Sequence, residues 1–164
     1  ALFVLEDEGK NVGSCAVPLP LRERLAQAPM VYLHDGFEAR VERILRDYVV
    51  RQHAEFVAAC GSEERGFEAY AARLLASLDK IERRLGGASH QQLRQSMENA
   101  LQRQEEYGDA ASHRGWIAAL LQHYYDPMYA YQRESRADRI EFQGAYGEVL
   151  AYLRERARLS SCQS

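Results

Sequence analysis

Two short strand-like runs stand on either side of this chain's longest helical tract, and that arrangement constrains the fold more than any other feature. Met30–Leu33 (MVYL) and Arg139–Phe142 (RIEF) have the length and the β-branched or aromatic content of buried strands. Between them, from Phe37 to Tyr125, apolar residues recur at helical spacing. A third apolar run, Leu2–Leu5, opens the chain and ends in the acidic Glu6, Asp7 and Glu8. Strands separated by helices require crossover connections, hence a parallel sheet. The tract from Phe37 to Tyr125 is too long for one crossover. The expected fold is therefore α/β and helix-rich overall, a small mainly parallel sheet carrying a large helical insertion. Residues 1–36 and 137–159 belong to the sheet domain, and 37–136 form the insertion.

The helical tract divides at its own punctuation. A stripe of Phe37, Val41, Ile44, Leu45, Tyr48 and Phe56 ends at Cys60-Gly61, with Glu42–Arg46 and Asp47–Arg51 as supporting i,i+4 pairs. A second stripe, Phe67 to Leu85, stops at Gly86-Gly87. Ser89 and Gln92 have capping-box spacing for a third helix, which Gly108 ends. A fourth carries Trp116, Ile117, Leu120, Leu121, Tyr124 and Tyr125. Pro127 cannot continue it, lacking an N–H, and Asp126 can cap a new helix. The expectation is a corner at Asp126-Pro127 holding tyrosines on both sides. Before the tract, GKNVGSCAVPLP, residues 9–20, reads as a loop, and Leu19–Ala28 as a short helix entered from it. After it, a helix carries Tyr146, Val149, Leu150 and Leu153, and the tail LSSCQS, residues 159–164, is expected to fray.

The 164 residues suffice for one domain with a core, and 46% hydrophobic with 27% charged residues is ordinary for a globular chain. No apolar run is long enough to span a bilayer, and no signal peptide opens the chain. A formal net charge of −3 argues against a broad nonspecific grip on nucleic acid. Three cysteines, Cys15, Cys60 and Cys162, form no close pair, as in a reducing cytosol. The histidines stand apart from any carboxylate or cysteine at ligand spacing, so no metal site is expected. The chain opens on Ala1 and runs at once into LFVLED, as an internal strand of a longer protein would.

Three constellations could carry chemistry. Glu6 and Asp7 end an apolar run, where a parallel sheet binds ligands and where P-loop proteins hold magnesium beside phosphate. The phosphate loop that should accompany them, GxxxxGK[ST], is absent; in GKNVGS, Lys10 precedes the second glycine. Arg40 and Arg43 share a helix face and could bring guanidinium groups to a phosphate; ion pairs on a solvated face are the plainer reading. Tyr124, Tyr125, Asp126, Tyr129, Tyr131 and Arg133 gather aromatic rings and a cation that can stack nucleobases. The plainer reading is that the rings bury area at the core's edge. No nucleophile with an activating partner is evident.

VLEDEGKNVG, PLRERLAQAP, FEARVERILRDYV, HYYDPMYAYQ and RIEFQGAYGEVLAYL occur in this order. This succession resembles the C-terminal part of the bacterial tRNA 2-selenouridine synthases, from Leu2 to about Leu153. The resemblance implies an incomplete P-loop-type domain, with the phosphate loop and a rhodanese-like domain upstream of residue 1. It implies that selenium from selenophosphate replaces the sulfur of wobble 2-thiouridine, through an S-geranylated intermediate formed from geranyl diphosphate. The partner would be tRNA at its anticodon wobble position, in the cytoplasm, with neither DNA nor membrane involved. The catalytic cysteine would lie in the rhodanese-like domain, and no residue of this chain would be catalytic. Glu6 and Asp7 would face the phosphate loop; Asp126, Pro127, Tyr129 and Tyr131 match the family's YDPMYxYQ-like motif. Lys10 departs from the pattern, standing where an arginine is usual. Nucleotide and magnesium binding are left open. Two other readings of the residues stay open: a fragment of a P-loop kinase-like domain acting on a small phosphorylated substrate, and a non-enzymatic helical interaction module.

Overall fold

A computed structural model describes residues 3–7 and 9–162, the last three of these in backbone only. Its elements run β1 (Asn11–Val12), β2 (Cys15–Ala16), α1 (Leu19–Gln27), β3 (Met30–Leu33), α2 (Phe37–Ile44), α3 (Gln52–Cys60), α4 (Glu63–Asp79) and α5 (Glu82–Leu85). They continue with α6 (Gly87–Tyr107), α7 (Arg114–Leu120), α8 (Asp126–Glu134), β4 (Ile140–Gly144) and α9 (Tyr146–Cys162). Two π-helical segments, Leu45–Arg51 and Leu121–Tyr125, join α2 to α3 and α7 to α8. The chain divides into two compact units. One comprises the residues up to Asp35 and those from Arg133 onward; the other is Gly36–Gln132. No helix among the described residues is long and apolar enough to cross a membrane.

In the first unit β3 and β4 pair in parallel, with Met30 opposite Ile140 and Leu33 opposite Gly144. The pairing matches the two runs read from sequence. Arg139 ties the start of β4 to the end of α1, donating from Nε to the Ala28 carbonyl at 3.0 Å and from Nη2 to that of Leu25 at 2.6 Å. Both carbonyls lie at the C-terminal end of α1, where intrahelical donors run out, and that of Leu25 also accepts the Ala28 N–H at 3.3 Å. Phe142 on β4 stacks on Tyr152 of α9 at 4.4 Å. The segment read as a loop, residues 9–20, contains a small hairpin in which Val12 faces Cys15 across a two-residue turn, and its last two residues already belong to α1.

The opening run is not a strand. Phe3, Val4 and Leu5 are irregular and exposed, Phe3 by 82%; Leu2 lies outside the described residues. A parallel strand is held only by a neighbour's ladder bonds, and the β3–β4 sheet has just two strands among the described residues. The tail Leu159–Ser164 is expected to fray, yet α9 continues to Cys162, and residues 163 and 164 lie outside the described ones.

The second unit is helical around one core. Val41, Leu45 and Val49 face Phe67, Tyr70, Leu74 and Leu78 of α4, Leu93, Met97 and Leu101 of α6, and Trp116, Ile117 and Leu121. The α2 stripe repeats every fourth residue, a spacing that drifts off one face of an α-helix. The wider π turn keeps Val41, Leu45 and Val49 in line, all buried. Gly61 and Gly108 end α3 and α6 in the left-handed conformation, with φ of 64° and 67°, which a side chain disfavours.

Four local expectations are corrected. Tyr48, placed on the inward stripe, is 54% exposed. The second helix breaks at Lys80–Ile81 instead of running on to Leu85. The third starts at Gly87, so Ser89 lies inside its first turn and makes no cap. Glu42 pairs with Arg114 at 2.6 Å, not with Arg46, which turns to Asp47. A guanidinium fork meeting a carboxylate across two helices is better aligned than a flexible pair along one. The Asp47–Arg51 pair forms, at 3.7 Å.

Candidate functional site

The Asp-Pro corner is absent. Asp126 has helical φ and ψ of −64° and −44°, and the helical path continues from Arg114 to Glu134. Proline inside a helix removes one hydrogen bond and crowds the carbonyl four residues back, here that of His123. The π turn at Leu121–Tyr125 widens the helix just where that carbonyl lies, so the ring is taken in without a stop.

Asp126 therefore does not cap. Its carboxylate grips Arg40 of α2 in a two-pronged ion pair, Nη1 to Oδ1 and Nη2 to Oδ2, the latter at 3.0 Å. Both side chains are partly buried. The Arg40 guanidinium also lies 5.5 Å from the centre of the Phe37 ring, in cation–π range. The hydrogen bond from Arg40 holds the Asp126 carboxyl below the usual carboxylate range, against a smaller opposing effect of burial. Asp126→Asn should destabilise the helical unit by about 1–2 kcal/mol, between the values for exposed and buried pairs. Adding Arg40→Gln should then cost little more. Denaturant melts of the two single variants and the double variant measure this, and additive losses would refute the coupling.

The tyrosines follow the same helix. Tyr124 meets Tyr125 edge-on at 4.9 Å, and Tyr125 stacks on Tyr129 at 6.2 Å with 20° between the rings. Burial raises the Tyr125 hydroxyl above its ordinary pKa, with smaller effects of Tyr124, Tyr129 and Tyr48. Tyr129 is 49% exposed and Tyr131 74%, so these rings present faces to solvent. Arg43, three residues beyond Arg40, is also exposed.

The first unit holds the remaining sequence-read residues. Glu6 and Asp7 lie on the irregular opening segment, and Asp7 pairs with Arg136. Arg133 covers the Tyr32 ring at 5.4 Å. At the carboxyl ends of β3 and β4, His34 shares a hydrogen bond with Gln143 at 3.3 Å and stands edge-on to Tyr32. The structure thus brings Arg40 together with Asp126, and Tyr124 with Tyr125 and Tyr129. Among the described residues no group of three or more His, Cys, Asp or Glu could hold a metal ion. The tie between Arg40 and Asp126, 86 positions apart, was not foreseen. Its one signal in the sequence is an acidic residue left uncapping beside a proline that the helix absorbs.

A family model described as the tRNA 2-selenouridine synthase AAA domain matches residues 1–160. The tRNA 2-selenouridine synthase of Verminephrobacter eiseniae is 60% identical over 152 residues, which is 93% of this chain and 41% of that protein. Those of Pseudomonas syringae pv. syringae and Azotobacter vinelandii are 57% and 58% identical, over 94% and 93% of this chain and 42% and 41% of their own. The chain spans about two fifths of the curated relatives it matches. No solved structure matches it. Identity at this level over nearly every element described above leaves one assignment: the chain belongs to the tRNA 2-selenouridine synthase family.

Proposed function

We propose that this chain serves in a tRNA-modifying transferase that converts wobble 2-thiouridine to 2-selenouridine with selenophosphate, through an S-geranylated intermediate made from geranyl diphosphate. The family match over residues 1–160 carries this reading. In it, the first unit is part of a P-loop-type α/β domain and the second is the helical insertion. The sulfur chemistry belongs to a cysteine of a rhodanese-like domain, and this chain contributes binding in the cytoplasm, alone inactive. Glu6 and Asp7 stand on the phosphate side. Arg40 and Arg43 are the insertion's phosphate candidates, Arg40 by exchanging Asp126 for the anion. Tyr129 and Tyr131 offer exposed rings on which unpaired bases of tRNA can stack, each such contact contributing about 1–3 kcal/mol. Tyr124, Tyr125 and Asp126 hold that helix in place, and Arg133 supplies a cation.

A chimera tests the proposal. This chain replaces the matching segment of the Pseudomonas syringae relative, and the product is assayed on 2-thiolated tRNA with selenophosphate. Formation of 2-selenouridine is expected. A soluble chimera that binds the tRNA but makes neither 2-selenouridine nor the geranylated nucleoside would count against it.

A further inference from the structure

A cavity of about 290 Å³ opens in the helical unit, and neither Arg40 nor Asp126 lines it. Arg84, Ser89, Gln92, Ser96, His123 and Tyr124 supply its polar lining, while Leu85, Leu93 and Ala119 are apolar. No carboxylate lines it. The side chains of Ser89, Gln92, Ser96 and His123 make no hydrogen bond to another described group, so their donors are available to a guest. Arg84 donates one of its five N–H groups to the Tyr124 hydroxyl at 3.5 Å, which leaves most of the fork open.

Two further features point the same way. Ser89 lies in the first turn of α6, a 21-residue helix with no side-chain cap. Its first N–H groups have no partner within the helix, and the positive end of its dipole is at the cavity wall. Opposite, the π turn Leu121–Tyr125 carries both His123 and Tyr124. A wider turn separates consecutive side chains by a smaller angle, so two neighbours can line one cavity. Such turns recur at functional sites.

We infer that this cavity is a binding site for the phosphate group of a small organic phosphate. Guanidinium, imidazole, two hydroxyls, an amide and a helix N-terminus make up a donor set for an oxyanion. A cation would find no anionic ligand here. Leu93, Ala119 and the Tyr124 ring cover the organic part, and the volume sits at the small end for ligand pockets, matching one nucleotide or a short ester. The inference stands on the cavity alone and does not depend on the proposed reaction.

Calorimetric titration of the 164-residue chain tests it, with inorganic pyrophosphate and uridine 5′-monophosphate as separate probes. Saturable binding is expected, weakened at least tenfold by Arg84→Gln and abolished by Ser96→Trp, whose ring fills the cavity. Both positions are exposed, and circular dichroism checks that the variants fold. The imidazole resonances of His123 should shift with each addition of ligand to the wild-type chain, a readout that stands even if a variant fails to fold. Tighter binding of the nucleotide assigns the site to nucleotides. Equal or tighter binding of pyrophosphate assigns it to diphosphates at large. No saturable binding of either probe, or equal affinity in wild type and folded Arg84→Gln, overturns the inference.

Discussion

Gly66→Ala is expected to destabilise the helical unit by about 3 kcal/mol, at the top of the range for overpacking. The position lies inside α4 and is buried against α3. A Cβ placed there would meet the Val57 Cα at 2.5 Å and its backbone N at 2.8 Å. Backbone atoms cannot swing aside as a side chain could, so the two helices must part. Alanine's better helix propensity offsets about 1 kcal/mol at most. The clash wins because separating α3 from α4 loosens contacts along both. In thermal unfolding followed by circular dichroism the loss should appear as a fall of roughly 6–12 °C. An unchanged melting temperature would show that the helices accommodate a methyl group and that the close approach is not structural.

Acid should weaken the same unit through His113 before the arginine-paired carboxylates Asp79, Asp109 and Asp126 are protonated. The imidazole is fully buried, and its Nδ1 accepts a hydrogen bond from Trp116 Nε1 at 2.8 Å. With Nδ1 accepting, the proton sits on Nε2, which has no partner. Burial lowers the pKa to about 4, opposed in part by the nearby Asp109 carboxylate. A depressed histidine pKa means that below about 6.5 the unfolded chain takes up a proton that the folded chain refuses. Stability is full above that pH and declines as the pH falls, by about 2 kcal/mol at pH 5 and about 3 kcal/mol near pH 4. The loss then levels off for this group. Asp79, Asp109 and Asp126, whose carboxyls are lowered by arginine partners, withdraw their own contributions only at lower pH. Urea melts from pH 7 to 4.5 measure the slope, and His113→Gln should flatten it. A wild-type curve as flat as that of the variant would remove His113 as the cause.

Much of the fold was legible because its determinants are local. Helical stripes follow from spacing, and Gly61 and Gly108 end helices because the left-handed turn suits glycine. MVYL and RIEF could be paired from their length and from the helices between them. What failed depended on partners remote in sequence. Phe3–Leu5 has strand composition, but a strand exists only beside another. Asp126 is a good cap in isolation; Arg40, from another helix, decides its role. Pro127 reads as a stop until a π turn makes room for it. For the site, the tyrosine group was visible as composition. The Arg84–His123 cavity was not, since it joins helix ends about 40 positions apart, with no motif to announce them.

Arg139 and the carbonyl of Ala28 that it holds are 111 positions apart in the chain. Closing a flexible tether of that length costs about 4 kcal/mol in entropy, and a two-stranded sheet is marginal by itself. Its halves meet cheaply only once the intervening helices have condensed into a body of fixed span. The expected order of folding is thus the helices first, then the β3–β4 pair, which stopped-flow refolding of Gly66→Ala would check. Damage to the helical core, as at Gly66, should therefore dissolve a sheet that the substituted residue never touches.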